Sequence, residues 1–248
     1  MVSRRRHSFP LDPPSPSRLR TFLRSRFSRE ETLGLYLTVG FLVCAALVIA
    51  FGILADEVFE IAGPGPLDRW MTLRVRAFQS ASSDALALSV TALGDARFLV
   101  PACLASVVVL YQQKHRVAGL LFAGSVIGGW LLETLLKISF HRSRPDLWPA
   151  LVTEKTPSFP SGHATMSTVF FGGIAALVFH LSPSVRLRAA SIAGAAAVIL
   201  AVGASRIFLG AHWVTDVVAG FLVGLFWVVV CATGTEYFVK RRPRRRRV

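Results

Sequence analysis

Acidic residues are the scarce class in this chain. Asp and Glu number 14 against 28 Lys and Arg among 248 residues. No acidic set suited to magnesium and no His/Cys spacing suited to zinc is present, so any chemistry is expected to run without metal or other cofactor. Cysteine is also sparse. Cys44, Cys103 and Cys231 are odd in number and all lie inside apolar runs, which excludes a disulfide framework and reads as small buried hydrophobes. No repeat period recurs, which excludes a solenoid.

Apolar sequence is abundant. The chain is 53% apolar with a mean hydropathy of +0.53, too oily for an ordinary soluble domain. Apolar runs of about 17–25 residues recur, the length that crosses ~30 Å of hydrocarbon as helix. The expected fold is therefore all-α and integral to the membrane. The net charge of +14 sits almost wholly in the tails: residues 1–30 carry +6 and residues 240–248 carry +7. Such tails could bind nucleic acid. Neither interleaves aromatics with its charge, so cytoplasmic flanks near anionic lipid are the better reading and no nucleic acid is expected. The thirty polar residues before the first long apolar run argue against a cleavable signal peptide.

Three segments follow: a basic, disordered N-terminal tail (1–31), a six-span domain (32–235) and a basic C-terminal tail (236–248). Spans are expected near Thr32–Leu54, within Leu86–Tyr111 with a break at Gly94-Asp95-Ala96-Arg97, and at Val117–Lys137, His163–His180, Leu187–Ser205 and His212–Gly234. A short amphipathic interfacial helix is expected near Leu67–Phe78. Six spans put both tails on one side, together with Lys114, Arg116, Arg186 and Arg188. The positive-inside bias makes that side cytoplasmic, in a plasma (inner) membrane, with loops 55–84, 138–162 and 206–211 facing outward.

Polar residues gather at the outward ends. Lys137 ends the third span, with Arg142, Arg144 and Pro145 just beyond. Pro160-Ser161-Gly162-His163 opens the fourth, Ser205-Arg206 closes the fifth, and His212 with Asp216 opens the sixth. A four-helix core can bring them into one site. Lys137, Arg144 and Arg206 supply three cations for a phosphate, and Ser161-Gly162 offers a helix N-terminus to the same anion. If the last helix already includes His212, Asp216 lies one turn on along the same face and can hold one ring nitrogen while the other attacks phosphorus. A second histidine can protonate the departing oxygen. Each residue alone has an ordinary reading, as a snorkelling cation, a turn or a cap; the ordered set favours one site.

These three motifs resemble those of the type 2 phosphatidic acid phosphatase superfamily of membrane lipid phosphatases: Lys137 with six residues to Arg144-Pro145, then Pro160-Ser161-Gly162-His163, then Ser205-Arg206 with His212 and Asp216. They are complete, in order, and of bacterial cast. The resemblance implies that His212 is the nucleophile forming a phosphohistidine, Asp216 its orienting partner and His163 the general acid and then base. It implies that Lys137, Arg144, Arg206, Ser161 and Gly162 bind phosphate, with Arg142 and Ser205 as second-tier candidates; Glu133 is a third such candidate on its spacing alone. Glu133 would pair with Lys137 at i,i+4. The expected activity is metal-independent dephosphorylation of a lipid such as undecaprenyl diphosphate, phosphatidic acid or phosphatidylglycerol phosphate. A lipid phosphotransferase, or a membrane protein that only binds or transports anionic lipid, are the alternatives. Asp95 and Arg97 read as interface residues, Trp148 and Trp213 as interface anchors, and His141 and His180 as lying outside the motifs. Oligomeric state is not legible.

Overall fold

The computed structural model describes residues 32–60, 64–146, 151–152 and 154–241. Among them every regular element is helical. Helix α1 spans Thr32–Glu60, α2 Pro66–Arg76, α3 Ala81–Thr91, α4 Ala96–Gln112, α5 Arg116–Ser139, α6 Gly162–Leu181, α7 Val185–Phe208 and α8 Val214–Arg241, with a 3-10 turn at Ala92–Gly94. Helices α1 and α5 to α8 are long and apolar enough to cross a membrane; α3 and α4, bent by 45° at their junction, make a sixth span if counted as one. The tail 1–31, the terminal residues 242–248 and Trp148 lie outside the described residues.

The break foreseen at Gly94–Arg97 has a local cause. The Asp95 amide closes the 3-10 turn on the Ala92 carbonyl at 3.2 Å, and Asp95 Oδ1 caps α4 by accepting from the Arg97 amide at 2.8 Å. An N-cap carboxylate satisfies a free helix donor, so a new helix begins there. A Cβ at Gly94 would meet Val202 at 2.7 Å and His163 at 3.2 Å, so the bend is seated against α6 and α7. Several helix ends differ from expectation, two of them most. Helix α1 runs on to Glu60, and α8 takes in the first residues of the expected tail, through Arg241.

Burial is inverted relative to a soluble protein. Phe41, Ile53, Leu104, Leu120, Leu135 and Leu200 are exposed, while Asp68, Arg206, His212 and Asp216 are among the most deeply buried side chains. Exposed apolar flanks suit lipid; the buried polar residues cluster at one end of the bundle. Helix α2 lies at that end. Leu67, Trp70 and Leu73 face outward, and Asp68 and Thr72 are turned in with no exposed surface.

Helix α6 is the hub, packing on α5, α7 and α8, while α1 lies along α8. Lipid tails give helices no hydrophobic reason to associate, so close approach at small residues does that work. A Cβ on Gly220 would sit 2.7 Å from the Ser161 carbonyl oxygen and 2.9 Å from Ala164 Cβ; on Gly224 it would meet Thr168 Cβ at 2.5 Å. Around Gly194, on α7, there is open space within 4 Å. Gly220→Ala and Gly224→Ala should therefore each cost about 1–3 kcal/mol by overpacking, read as a lower Tm of purified protein in detergent. Gly194→Ala should leave Tm unchanged or slightly raised; equal Tm values for all three would show that α6 and α8 are not in this contact.

Candidate active site

The polar end of the bundle is built by four helix ends and one loop. Helix α5 delivers Glu133 and Lys137 from its last turns. Their side chains meet at 3.0 Å across one helical turn, and Lys137 Nζ also donates to Thr156 Oγ1 at 3.2 Å. Gly162 opens α6 directly over this pair. Any Cβ there would lie 2.7 Å from Glu133 Oε1 and 3.3 Å from Lys137 Nζ, so glycine is what lets the start of α6 approach. Ser161 precedes it. The Ser161 amide donates to the Asp216 carbonyl oxygen at 3.0 Å, while its buried Oγ has no partner. An orphaned hydroxyl beside a helix N-terminus is a ready donor for an incoming anion.

His212 sits in the turn between α7 and α8, not in α8. The helix starts at Val214, so the shared-face geometry is corrected: Asp216 reaches back. Its Oδ2 accepts from the Trp213 amide at 2.9 Å and from Ser158 Oγ, and faces His212 Nδ1 at 3.5 Å. Capping the first turn thus aims the carboxylate at the imidazole. On the ring's other edge, Arg144 Nη1 lies 3.2 Å from His212 Nε2. A carboxylate only accepts and a guanidinium only donates, so the proton belongs on Nδ1 and the lone pair on Nε2. His212 is fully buried, and burial pushes its pKa below the ordinary value; Asp216 opposes that, and Arg144 and Arg206 add to it. The ring is neutral near pH 7.

Arg144 is held by the Ala211 carbonyl oxygen at 2.8 Å, the Thr156 carbonyl oxygen at 2.9 Å and Glu154 Oε2 at 2.9 Å. Arg206, buried in the last turn of α7, donates to Thr91 Oγ1 at 3.0 Å and to Glu154 Oε1. His163, in the first turn of α6, has Nδ1 at 3.9 Å from Glu154 Oε1 and Nε2 at 3.9 Å from Asp95 Oδ2. Glu154 therefore lies between Arg144 and Arg206, with the His163 ring beside it. Burial alone would raise its pKa, but Arg206 and Arg144 beside it hold the carboxyl down to about 2.

The structure thus brings His163, His212, Asp216, Lys137, Arg144, Arg206, Ser161, Gly162 and Glu133 to one end of the bundle. It redirects two second-tier candidates. Arg142 is tied at 2.5 Å to Asp216 Oδ1 and at 2.7 Å to Asp68 Oδ2, and so braces a carboxylate. Ser205 donates its hydroxyl to the Val202 carbonyl oxygen at 2.6 Å within its own helix. Asp95, read as an interface residue, lies beside His163. Trp213, read as an interface anchor, is buried, its indole N–H bonded to the Ser143 carbonyl oxygen at 3.1 Å. Sequence reasoning missed Glu154, Ser158, Thr156, Asp68 and Thr215. Glu154 carries one signal: it is a carboxylate in the loop between the motif of Lys137 and Arg144 and the motif of His163.

Comparisons with known proteins bear on the family and the fold. The PAP2 superfamily matches residues 118–240. Phosphatidylglycerophosphatase B of Bacillus subtilis (strain 168) is 38% identical over 139 residues, 55% of this chain and 67% of that protein. A lipid A 1-phosphatase of Rhizobium johnstonii is 34% identical over 117 residues, 44% of each chain. Among solved structures, the transmembrane PAP2 type phosphatidylglycerolphosphate phosphatase from Bacillus subtilis aligns with a TM-score of 0.71 and 29% identity, over 81% of this chain and 98% of that one. Aquifex aeolicus LpxE, at TM-score 0.53 and 20% identity, shares the fold over 67% of this chain and 95% of its own.

The Glu154 carboxylate already seated on Arg144 and Arg206 is expected to compete with a phosphate bound there. Glu154→Gln should tighten inhibition by inorganic phosphate or orthovanadate by about tenfold, one lost charge interaction of ~1.4 kcal/mol, measured as the inhibition constant at fixed pH. An unchanged constant would show that the carboxylate and the phosphate do not share the site.

Proposed function

This chain belongs to the PAP2 superfamily and is a lipid phosphatase, a hydrolase of phosphate esters; from that premise we propose that it removes the terminal phosphate of a lipid phosphate or diphosphate at the outer face of the membrane, through a phosphohistidine on His212. The observation that carries the reading is the setting of His212, whose Nε2 points at the same guanidinium that grips the resident carboxylate.

The steps balance as follows. The phosphoryl group takes the place of Glu154 against Arg144 and Arg206, with Lys137, Ser161 Oγ and the free amides opening α6 at hand. The Nε2 lone pair attacks phosphorus, the bond from phosphorus to the lipid oxygen breaks, and protonated His163 gives that oxygen its proton. Asp216 stabilises the positive charge that develops on His212. Water then attacks the phosphohistidine, giving a proton to His163; phosphate leaves, and Nε2 regains its lone pair. Phosphoryl transfer asks chiefly for position and charge stabilisation, which two guanidinium groups and an ammonium supply, so we assign no metal to the reaction.

Two arguments bear on substrate and side. The exposed apolar flanks let a lipid reach the polar end laterally, and the relative covered over 67% of its length is named for phosphatidylglycerophosphate. That favours a phosphatidylglycerol phosphate substrate over phosphatidic acid or undecaprenyl diphosphate. The basic turns around Lys114, Arg116, Arg186 and Arg188 lie at the far end of the bundle from the site, which the positive-inside bias makes cytoplasmic.

The test is phosphate release by purified protein from those three lipids, with and without chelator. Release that persists in chelator is expected, with a covalent phosphoenzyme that is lost in His212→Ala along with more than about 10³-fold of the turnover. His163→Ala should lower turnover by about 10²–10⁴-fold, the range for an acid–base group. Turnover kept by His212→Ala would remove the nucleophile; a phosphorylated lipid product in place of inorganic phosphate would make the enzyme a phosphotransferase. Attack needs neutral His212 and departure needs protonated His163, so kcat/KM should be bell-shaped in pH, its acid limb set by His212 and its basic limb by His163. Burial lowers the His212 pKa below its ordinary value, so the acid limb should lie below pH 6.5.

A further inference from the structure

Asp68 belongs to none of the three motifs, lies on a helix remote from them in sequence, and is wholly buried. Its Oδ2 accepts from Arg142 Nη2 at 2.7 Å and from Thr215 Oγ1 at 2.8 Å, and its Oδ1 accepts from the Thr215 amide at 3.0 Å. Arg142 Nη1 in turn donates to Thr215 Oγ1 at 2.6 Å and to Asp216 Oδ1 at 2.5 Å. The hydrogens balance: the Thr215 hydroxyl gives its one proton to Asp68 and receives one from Arg142. Asp68 thus closes a ring running from α2 through the loop arginine to the first turn of α8.

We infer that Asp68 is a positioning residue for the phosphatase reaction, holding Arg142 so that Asp216 is fixed in place yet keeps its negative charge for His212. The inference rests on the proposed roles of His212 and Asp216.

Two physical arguments support it. The first is mechanical. Arg142 stands in irregular chain, where its own backbone is secured by the Ser158 amide donating to its carbonyl oxygen at 2.9 Å. A long side chain on such a segment keeps one rotamer only when both ends of its guanidinium are bonded, and Asp68 supplies the second end from a helix. The second is electrostatic. A lone guanidinium 2.5 Å from Asp216 would neutralise most of the field that carboxylate exerts on His212. Shared between two carboxylates, the cation leaves one net negative charge facing the ring. Burial makes both terms large, because little water screens the group. The same logic makes α2 part of the catalytic unit: its outward Leu67, Trp70 and Leu73 meet lipid while Asp68 reaches the nucleophile's partner.

The experiment uses the full chain in detergent with a lipid phosphate substrate. Asp68→Asn is expected to lower kcat by about tenfold or more while KM changes by less than about twofold, the signature of lost transition-state organisation. It should also move the acid limb of kcat/KM to lower pH, because Arg142 would then offset Asp216 and His212 would lose part of the field that keeps it basic. The other charged groups facing His212 are Arg144, Arg206, Glu154 and His163, and all are unchanged in the variant. A merely structural loss lowers the active fraction without moving that limb. In an Arg142→Gln background, Asp68→Asn should cost little further, since the two act as one unit. Wild-type kcat and pH profile in Asp68→Asn, or full additivity with Arg142→Gln, overturns the inference. Should Asp68→Asn fail to fold, Thr215→Val, which deletes the bridging hydroxyl and keeps its shape, carries the test, and unchanged kcat there overturns it as well. If His212→Ala keeps turnover, the nucleophile itself is misassigned; if His212→Ala is dead while Asp68→Asn is normal, only Asp68 is.

Discussion

Everything at the functional end of this protein follows from the need to pair charges that the fold takes out of water. Arg206, His212, Asp216 and Asp68 are buried at the end of a bundle whose flanks are hydrocarbon-like. An ionised group in such surroundings costs several kcal/mol unless a partner and further hydrogen bonds repay it. Arg206 finds Glu154 and Thr91, Arg142 finds Asp68 and Asp216, and Lys137 finds Glu133. Only the last pair is local. The others join α2, α3, α7, α8 and the long loop, so the site exists only when the whole polar end of the bundle is assembled.

Helix packing supplies the precision. The Ser161 amide bonds to the Asp216 carbonyl oxygen at 3.0 Å, which ties the first turn of α6 directly to the turn that aims Asp216 at His212. Gly220 makes that contact possible, since a Cβ there would fall on the Ser161 carbonyl. Gly162 serves the same end over Glu133 and Lys137. These glycines are chosen for closeness. They let polar groups on separate helices sit at hydrogen-bond range in a medium that gives apolar surfaces no reason to associate.

Much of this could be read from sequence, because an ionisable residue beside a long apolar run is costly and so points to function. That reasoning located Lys137, Arg144, His163, Arg206, His212 and Asp216, and hydropathy with the Gly94-Asp95-Ala96-Arg97 interruption gave the spans and their one bend. What escaped it depends on tertiary burial. Asp68 in an amphipathic helix reads as a solvated face, and only the docking of α2 turns it inward. Glu154 and Ser158 lie in a loop with no periodicity to orient them. Arg142 is a candidate through the family resemblance alone, and a guanidinium suits phosphate and carboxylate equally; Asp68 and Asp216 decide for carboxylate. The His212–Asp216 pairing came out right through the wrong geometry, since the helix begins two residues after His212 and the carboxylate reaches back as a cap.

The resting position of Glu154 bears on how a lipid phosphate could be bound at all. Arg144, Arg206 and Lys137 in an empty buried cleft would repel one another and lack solvation, a state the fold could hold only at high cost. Glu133 answers Lys137 permanently, under Gly162. Glu154 answers the two arginines from a loop without regular structure, where a side chain can withdraw without disturbing a helix. Under the proposed phosphate roles of Arg144 and Arg206, substrate binding is an exchange of one anion for another, and the affinity is the difference between a phosphoryl group and a carboxylate on the same guanidinium groups. A phosphate wins that comparison by its greater charge and its third oxygen, which the carboxylate lacks. On that reading the third oxygen can be met by the buried hydroxyl of Ser161, which has no partner among the described residues, so the two anions differ at a donor that the resident carboxylate leaves unused.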